Sequence, residues 1–142
     1  MAAPQVRVRA ADWNVDRGAL RAVREQVFVR EQAVPVELEW DEFDSQCQHV
    51  VAEAAGRAIG TGRLLPDGHI GRMAVLESWR RRGVGSALLE ALLRLAHDRG
   101  IRQVRLDAQS RAVAFYRRHG FVAEGEEFIE AGIPHRSMWR DV

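Results

Sequence analysis

The sequence has one cysteine, Cys47, among 142 residues, which excludes an internal disulfide framework and cannot by itself build a cysteine-rich zinc site. Long apolar runs are also missing. Nothing approaches the length of a membrane span, and Met1-Ala2-Ala3-Pro4-Gln5 holds no apolar core of signal-peptide length. The expectation is a cytoplasmic protein without a membrane partner. Charge of one sign is scarce: 21 basic residues face 20 acidic ones, a net of +1, which argues against a dedicated nucleic-acid binder. The five histidines include no i, i+4 pair, so no metal site has support. Neither a P-loop ending in Gly-Lys-Ser/Thr nor a Gly-x-Gly-x-x-Gly pattern occurs, and there is no internal repeat or low-complexity tract. What remains is 46% hydrophobic and 29% charged, the balance of one globular domain spanning 1–142.

Periodicity divides the chain into strands and helices. Residues 5–10 alternate, with Val6 and Val8 on one face and Arg7 and Arg9 on the other, as in a half-wet strand. Asp16 is placed to cap a helix running to about Gln32, with Leu20, Val23, Val27 and Phe28 inward and Arg21, Arg24 and Glu25 outward. Pro35 ends it and opens an acidic segment, Glu37 to Asp44, which packs Leu38, Trp40 and Phe43 and hints at a cationic substrate. Residues 48–54 and 58–65 read as a hairpin turning at Ala55-Gly56-Arg57, with Gly60 and Gly62 marking a bulge or a close backbone approach. Residues 70–75 add a third strand after the turn Pro66-Asp67-Gly68. A helix from Val84 carries an apolar stripe at Val84, Ala87, Leu88, Ala91, Leu92 and Leu95 and ends at Gly100; a strand over 102–108 follows. Strand, helix, strand is a crossover unit, which predicts parallel pairing in the middle of the sheet. Ser110 is placed to cap a helix over 111–119, and a short strand at Phe121-Val122-Ala123 follows. An irregular acidic stretch (125–130), a turn at Gly132-Ile133-Pro134 and a last strand over 135–141 complete an α/β domain, its mixed sheet antiparallel early and parallel in the middle.

The candidate site begins at Arg80-Arg81-Arg82-Gly83-Val84-Gly85-Ser86, where a loop becomes an apolar helix. Glycine lets the backbone approach a ligand closely, and a first helical turn offers unpaired N–H groups and the positive end of the macrodipole. An anion, most naturally a phosphate or pyrophosphate, fits there.

With Ile70-Gly71-Arg72-Met73-Ala74-Val75 before this turn and Ala112-Val113-Ala114-Phe115-Tyr116-Arg117-Arg118-His119-Gly120-Phe121 after it, the chain resembles the GNAT N-acetyltransferases. A narrower similarity, to the ElaA-like branch, is carried by Phe28-Val29-Arg30-Glu31-Gln32 with Pro35, by Asp41 and Asp44, and by Gly132-Ile133-Pro134-His135. The resemblance implies a GNAT-like acyltransferase fold with helices flanking the sheet. It implies that Arg80, Arg81, Arg82, Gly83, Val84, Gly85 and Ser86 hold the pyrophosphate of acetyl-coenzyme A, and that Met73, Ala74 and Val75 bind its pantetheine arm through their backbone. Tyr116, the only tyrosine, would protonate the departing thiolate. Gln109 stands where many members carry asparagine, so that contact departs from the pattern.

By the same resemblance the acetyl group passes to a primary amine of a small molecule or peptide, by direct attack in a ternary complex. The amine must first lose a proton. Candidates for the base are Glu37, Glu39, Asp41, Asp44, His49, His69 and His135, with His49, Glu39 and His135 in front. A coenzyme A-binding module without useful transfer is the alternative reading, and a homodimer is left open. Cys47 lies near His49 but has no oxyanion motif beside it.

Overall fold

The structure, a computed structural model, describes residues 5–142. Strands β1 (Val6–Ala11), β2 (Gln48–Ala54), β3 (Arg57–Leu64) and β4 (Ile70–Val75) form one sheet in that order. Strands β5 (Gln103–Gln109), β6 (Val122–Glu130) and β7 (Ile133–Asp141) form a second, with β7 in the middle. Helix α1 (Trp13–Arg24) runs on as a π-helical segment over Glu25–Glu31, followed by one turn, α2 (Val36–Glu39). Helix α3 is Val84–Asp98 and α4 is Val113–Arg118.

Every pair in the two ladders is antiparallel, so the expected parallel middle pair does not form. The crossover through α3 brings β4 and β5 together at one parallel bridge, His69↔Arg105, and the strands then diverge. The cause lies in β4. Between Thr61 and Arg63 the register with β3 slips by one residue, placing a bulge at Arg72–Met73, and Arg72 has φ +49°. A bulge of this kind bends its strand and strengthens its twist.

Helix α3 covers one face of the first sheet. Leu88, Leu89, Leu92 and Ala96 are fully buried against Val50, Ala52, Ile59 and Leu64; of the predicted stripe Val84, Leu88 and Leu92 are buried, while Ala87, Ala91 and Leu95 are half-buried and Leu89, Leu93 and Ala96 join the core in their place. Gly60 and Gly62 turn out to be sites of close approach: a Cβ there would lie 2.9 Å from Leu88 Cδ1 or 2.8 Å from Leu92 Cδ1. On the other face, Val23 and Val27 pack against Ala74.

Several boundaries differ from expectation. Asp12, not Asp16, caps α1 by accepting the Asn14 N–H (2.9 Å); Asp16 accepts the Asp12 N–H and pairs with Arg9 (2.9 Å). Arg24 points inward rather than out, because it lies four residues from Leu20 and three from Val27 on the apolar stripe. Ser110 opens a single 3₁₀ turn and donates to Glu127 Oε2 (2.9 Å) instead of capping α4. β6 extends through the stretch read as irregular, with a register break between Glu124 and Phe128 near Gly125 (φ +78°). Its hairpin turns at Ala131 and Gly132, both at positive φ, so Ile133 and Pro134 belong to β7.

Candidate functional site

The divergence of β4 from β5 leaves β4 paired on one side only. Its inner edge matches β3 at Thr61↔Ala74 and Gly60↔Val75, while no strand ladder occupies its outer edge among the described residues. Backbone groups on such an edge are free to meet an extended, amide-bearing ligand. Across this gap the Tyr116 hydroxyl reaches Met73 Sδ (3.5 Å), so α4 and the bulged strand meet at one point. Phe115 and Phe121 hold the tyrosine ring edge-on, at 5.1 and 5.7 Å between centroids. Burial pushes its phenol up to about 12. The hydroxyl is therefore protonated throughout the physiological range and acts as a donor.

The glycine turn is built as its sequence suggests. Arg81 (φ +61°) and Gly83 (φ +80°) take left-handed conformations, and Gly83 is the N-cap of α3. The first helical hydrogen bond closes from the Ala87 N–H to the Gly83 carbonyl (3.1 Å), so the amides of Val84, Gly85 and Ser86 have no intrahelical acceptor. A Cβ at Gly85 would lie 3.5 Å from Phe115, and Ser86 Oγ hydrogen-bonds His119 Nε2 (3.0 Å), so α3 and α4 meet at this turn. The three arginines divide. Arg80 pairs twice with Glu31 (2.6 and 2.7 Å) and donates from Nε to the Val75 carbonyl (3.0 Å), locking the end of β4 to the π-helical segment. Arg82 lies over the Trp79 ring, and Arg81 is exposed.

Beside the gap lies a pocket of about 400 Å³ lined by Glu31, Gln32, Gln109, Ser110, Arg111, Ile133 and Pro134. Gln109 spans it: its Nε2 donates to Gln32 Oε1 (2.8 Å), and its Oε1 accepts from Arg111 Nε (3.0 Å). Gln109 is also the register partner of His135 on β7, so the two side chains share a face of the second sheet. The Ile133 carbonyl accepts from His135 Nδ1 (2.7 Å), which puts a proton on Nδ1 and turns Nε2 toward the Glu130 carboxylate, 4.0 Å away. Phe128 stacks on the same ring (5.9 Å). A larger open cleft of about 1250 Å³ lies between α1 and the β2–β3 hairpin and shares Glu31 with the pocket, but contains none of the glycine-turn residues.

Glu39 and His49 are elsewhere, in a buried ionic cluster. Arg24, 1% exposed, donates to Glu39 Oε1 (2.6 Å) and to both oxygens of Asp44 (2.9 and 3.2 Å). Arg63 holds Asp41 with both Nη groups (2.8 and 2.7 Å) and shares Asp44 (2.9 Å), while its Nε is buried without a partner. Arg72, on the bulge, reaches Glu39 Oε2 (3.4 Å), Asp41 Oδ2 (3.2 Å) and the Leu38 and Glu39 carbonyls. Burial raises Glu39 against the pull of these arginines, whereas the Arg63 hydrogen bonds bring Asp41 down to about 2. His49 donates from Nε2 to the Asp44 carbonyl (2.7 Å), stacks on Trp13 (4.7 Å), and is pushed down by burial. Three carboxylates of the acidic segment thus meet three guanidiniums, which among the described residues leaves Glu37 and Glu42, both exposed, as its unpaired charges. Glu37 is exposed, and His69 pairs with Asp67 at the surface (3.0 Å). The Cys47 thiol donates to the Phe43 carbonyl (3.1 Å) and is pushed up to about 11 by burial, the opposite of an activated nucleophile.

Sequence reasoning gave Arg24, Arg63, Arg72, Arg111 and Gln32 no role. For Arg24 a signal existed, its place on the apolar stripe; the others are brought together only by tertiary packing. Among the described residues no group of three His, Cys, Asp or Glu side chains is placed to hold a metal, and no helix is long and apolar enough to cross a membrane.

Residues 15–141 match the family described as "Acetyltransferase (GNAT) domain". A Bacillus subtilis protein named "Uncharacterized N-acetyltransferase YjcF" is 43% identical over 123 residues, covering 84% of this chain and 88% of its own. Among solved structures, an acyl-CoA N-acyltransferase from Pseudomonas aeruginosa superposes with a TM-score of 0.86 at 32% identity, covering 96% of this chain and 99% of that one. Escherichia coli ElaA also gives 0.86, at 27% identity with the same coverage.

Proposed function

We propose, for a chain that belongs to the GNAT acetyltransferase family, that it transfers the acetyl group of acetyl-coenzyme A to a primary amine by direct attack in a ternary complex, as a single domain over 1–142. The observation that carries this reading is the gap between β4 and β5, with Tyr116 hydrogen-bonded across it to Met73. The outer edge of β4 at Met73–Val75 suits the amides of a pantetheine arm, and the free first-turn amides of α3 suit a pyrophosphate. Gly85 sits where the backbone can approach those phosphates, and Ser86 adds a hydroxyl that His119 orients. Arg80 acts indirectly, by holding the Val75 carbonyl and Glu31; of the three arginines, Arg81 is the one free to meet a phosphate. Acetyl-coenzyme A supplies an activated thioester.

Tyr116 donates to the sulfur as the carbon–sulfur bond breaks. With its phenol near 12 and a thiol near 8.5, complete proton transfer is about 5 kcal/mol uphill, so the working role is a hydrogen bond to developing thiolate charge. Of the base candidates, His135 is the one beside the pocket whose Nε2 makes no hydrogen bond among the described residues, while Glu39 and His49 are committed to the ionic cluster. His135 Nε2 takes the amine proton.

Two measurements test the reading together. Acetyl-coenzyme A at about a hundred times its dissociation constant should stabilise the fold by about 2.7 kcal/mol, read as a rise in melting temperature. Thiol release with a panel of primary amines should be lost in His135→Gln while that rise persists. An unmoved melting temperature overturns the donor site; undiminished thiol release in His135→Gln overturns the base.

A further inference from the structure

Resting on the acyl-transfer reading, we propose that the acceptor amine also carries a carboxylate, and that Arg111 reads it in the pocket between the π-helical segment, β5 and β7. Arg111 uses only Nε within the protein, toward Gln109 Oε1 (3.0 Å). Because an Nε–H can only donate, this bond turns the Gln109 oxygen toward Arg111 and its amide nitrogen toward Gln32 Oε1 (2.8 Å). The relay Gln32–Gln109–Arg111 holds the guanidinium by one edge and leaves its two Nη groups as a fork, the geometry that matches a carboxylate bidentately.

The charges around the pocket point the same way. Glu31 is the acidic residue lining it, and Arg80 saturates both its oxygens (2.6 and 2.7 Å). Glu127 lies at the exposed rim and accepts from Ser110 (2.9 Å), without an ion pair to Arg111. Arg111 thus lines the pocket with no ion pair among the described residues, its charge felt by Glu31 only at longer range, while Ile133 and Pro134 supply an apolar wall for the body of a small acceptor. A volume of about 400 Å³ admits a ligand of amino-acid to dipeptide size. In the neighbouring acidic segment Glu39, Asp41 and Asp44 are already matched by Arg24, Arg63 and Arg72.

The test uses matched amines: an amino acid, its carboxamide, and the amine lacking the carboxyl group. Binding is followed by calorimetry on the full chain, and thiol release is followed separately with acetyl-coenzyme A. The amino acid should bind about tenfold or more tightly than its carboxamide, and the preference should collapse in Arg111→Gln. A KM preference for the carboxylated amine in wild type, lost in the variant, supports the proposal in turnover as well. Equal binding of acid and amide overturns it, as does a preference that survives Arg111→Gln. Carboxylate-dependent binding with no thiol release from any amine would uphold this site and sink the acyl-transfer reading instead. Efficient release without acid preference would do the reverse.

Discussion

Asp41 and Glu39 both contact Arg72, yet respond to acid in opposite senses. Asp41 is brought from 3.8 to about 2 by its Arg63 hydrogen bonds, so its stabilising contribution is present above about pH 4 and is lost as pH falls through 2. Burial raises Glu39, so the folded state takes up that proton more readily than the unfolded chain, and this group alone favours folding as pH falls. Asp41's share of the loss between pH 4 and 2 should amount to about 2 kcal/mol and be missing from Asp41→Asn in urea titrations across that window, while Asp16, Glu31 and Asp67, also held below the usual carboxylate range, lose stability in both proteins. At Tyr116 the expected variant is Phe: turnover should drop about a hundredfold with acetyl-coenzyme A affinity nearly unchanged, and an undiminished rate when chemistry limits would remove the hydroxyl from the reaction. The residue types in the glycine turn and around Tyr116 were legible because their chemistry is local. The cluster was not, since Arg24, Glu39, Asp44 and Arg72 are far apart in sequence and only packing unites them. Base candidates chosen by type therefore included four, Glu39, Asp41, Asp44 and His49, whose protons and lone pairs are already engaged in the cluster.

At the level of elements, apolar spacing placed α1, α3 and the strands that bury one face, but not the length of β6, whose residues are mostly exposed. It did not place the π-helical stretch after Arg24, where the Gln32 N–H reaches back five residues to the Val27 carbonyl (3.1 Å) and so delivers Glu31 and Gln32 to the pocket. Nor did it place the divergence of β4, which depends on a non-glycine residue, Arg72, held at φ +49° by Glu39, Asp41 and two carbonyls. The start of α3 offers a clean separation of fold from ligand. A Cβ at Gly85 meets Phe115 at an ordinary 3.5 Å, so Gly85→Ala should leave the ligand-free melting temperature unchanged or slightly raised. The same methyl would stand between the first-turn amides and a pyrophosphate, and acetyl-coenzyme A affinity should weaken about tenfold. Equal affinity in the two proteins would move the phosphate elsewhere.

Across the whole molecule, all 21 basic side chains are arginine and none is lysine. The buried cluster depends on that choice: a guanidinium keeps its charge and can serve two carboxylates at once, as Arg24 and Arg63 do. It also leaves no side-chain amine on the enzyme to compete with an added acceptor, so thiol release can be read without a background of self-acetylated lysine. The two sheets, finally, share side chains in one core but are hydrogen-bonded each to itself, and among the described residues the strand bridge between them is His69↔Arg105. In amide exchange the protein should therefore behave as two protected bodies with a fast-exchanging seam along the outer edge of β4, despite that strand's central place in the chain. A ligand lying in the seam would be the missing rung, slowing exchange on both sides at once and making the halves open together.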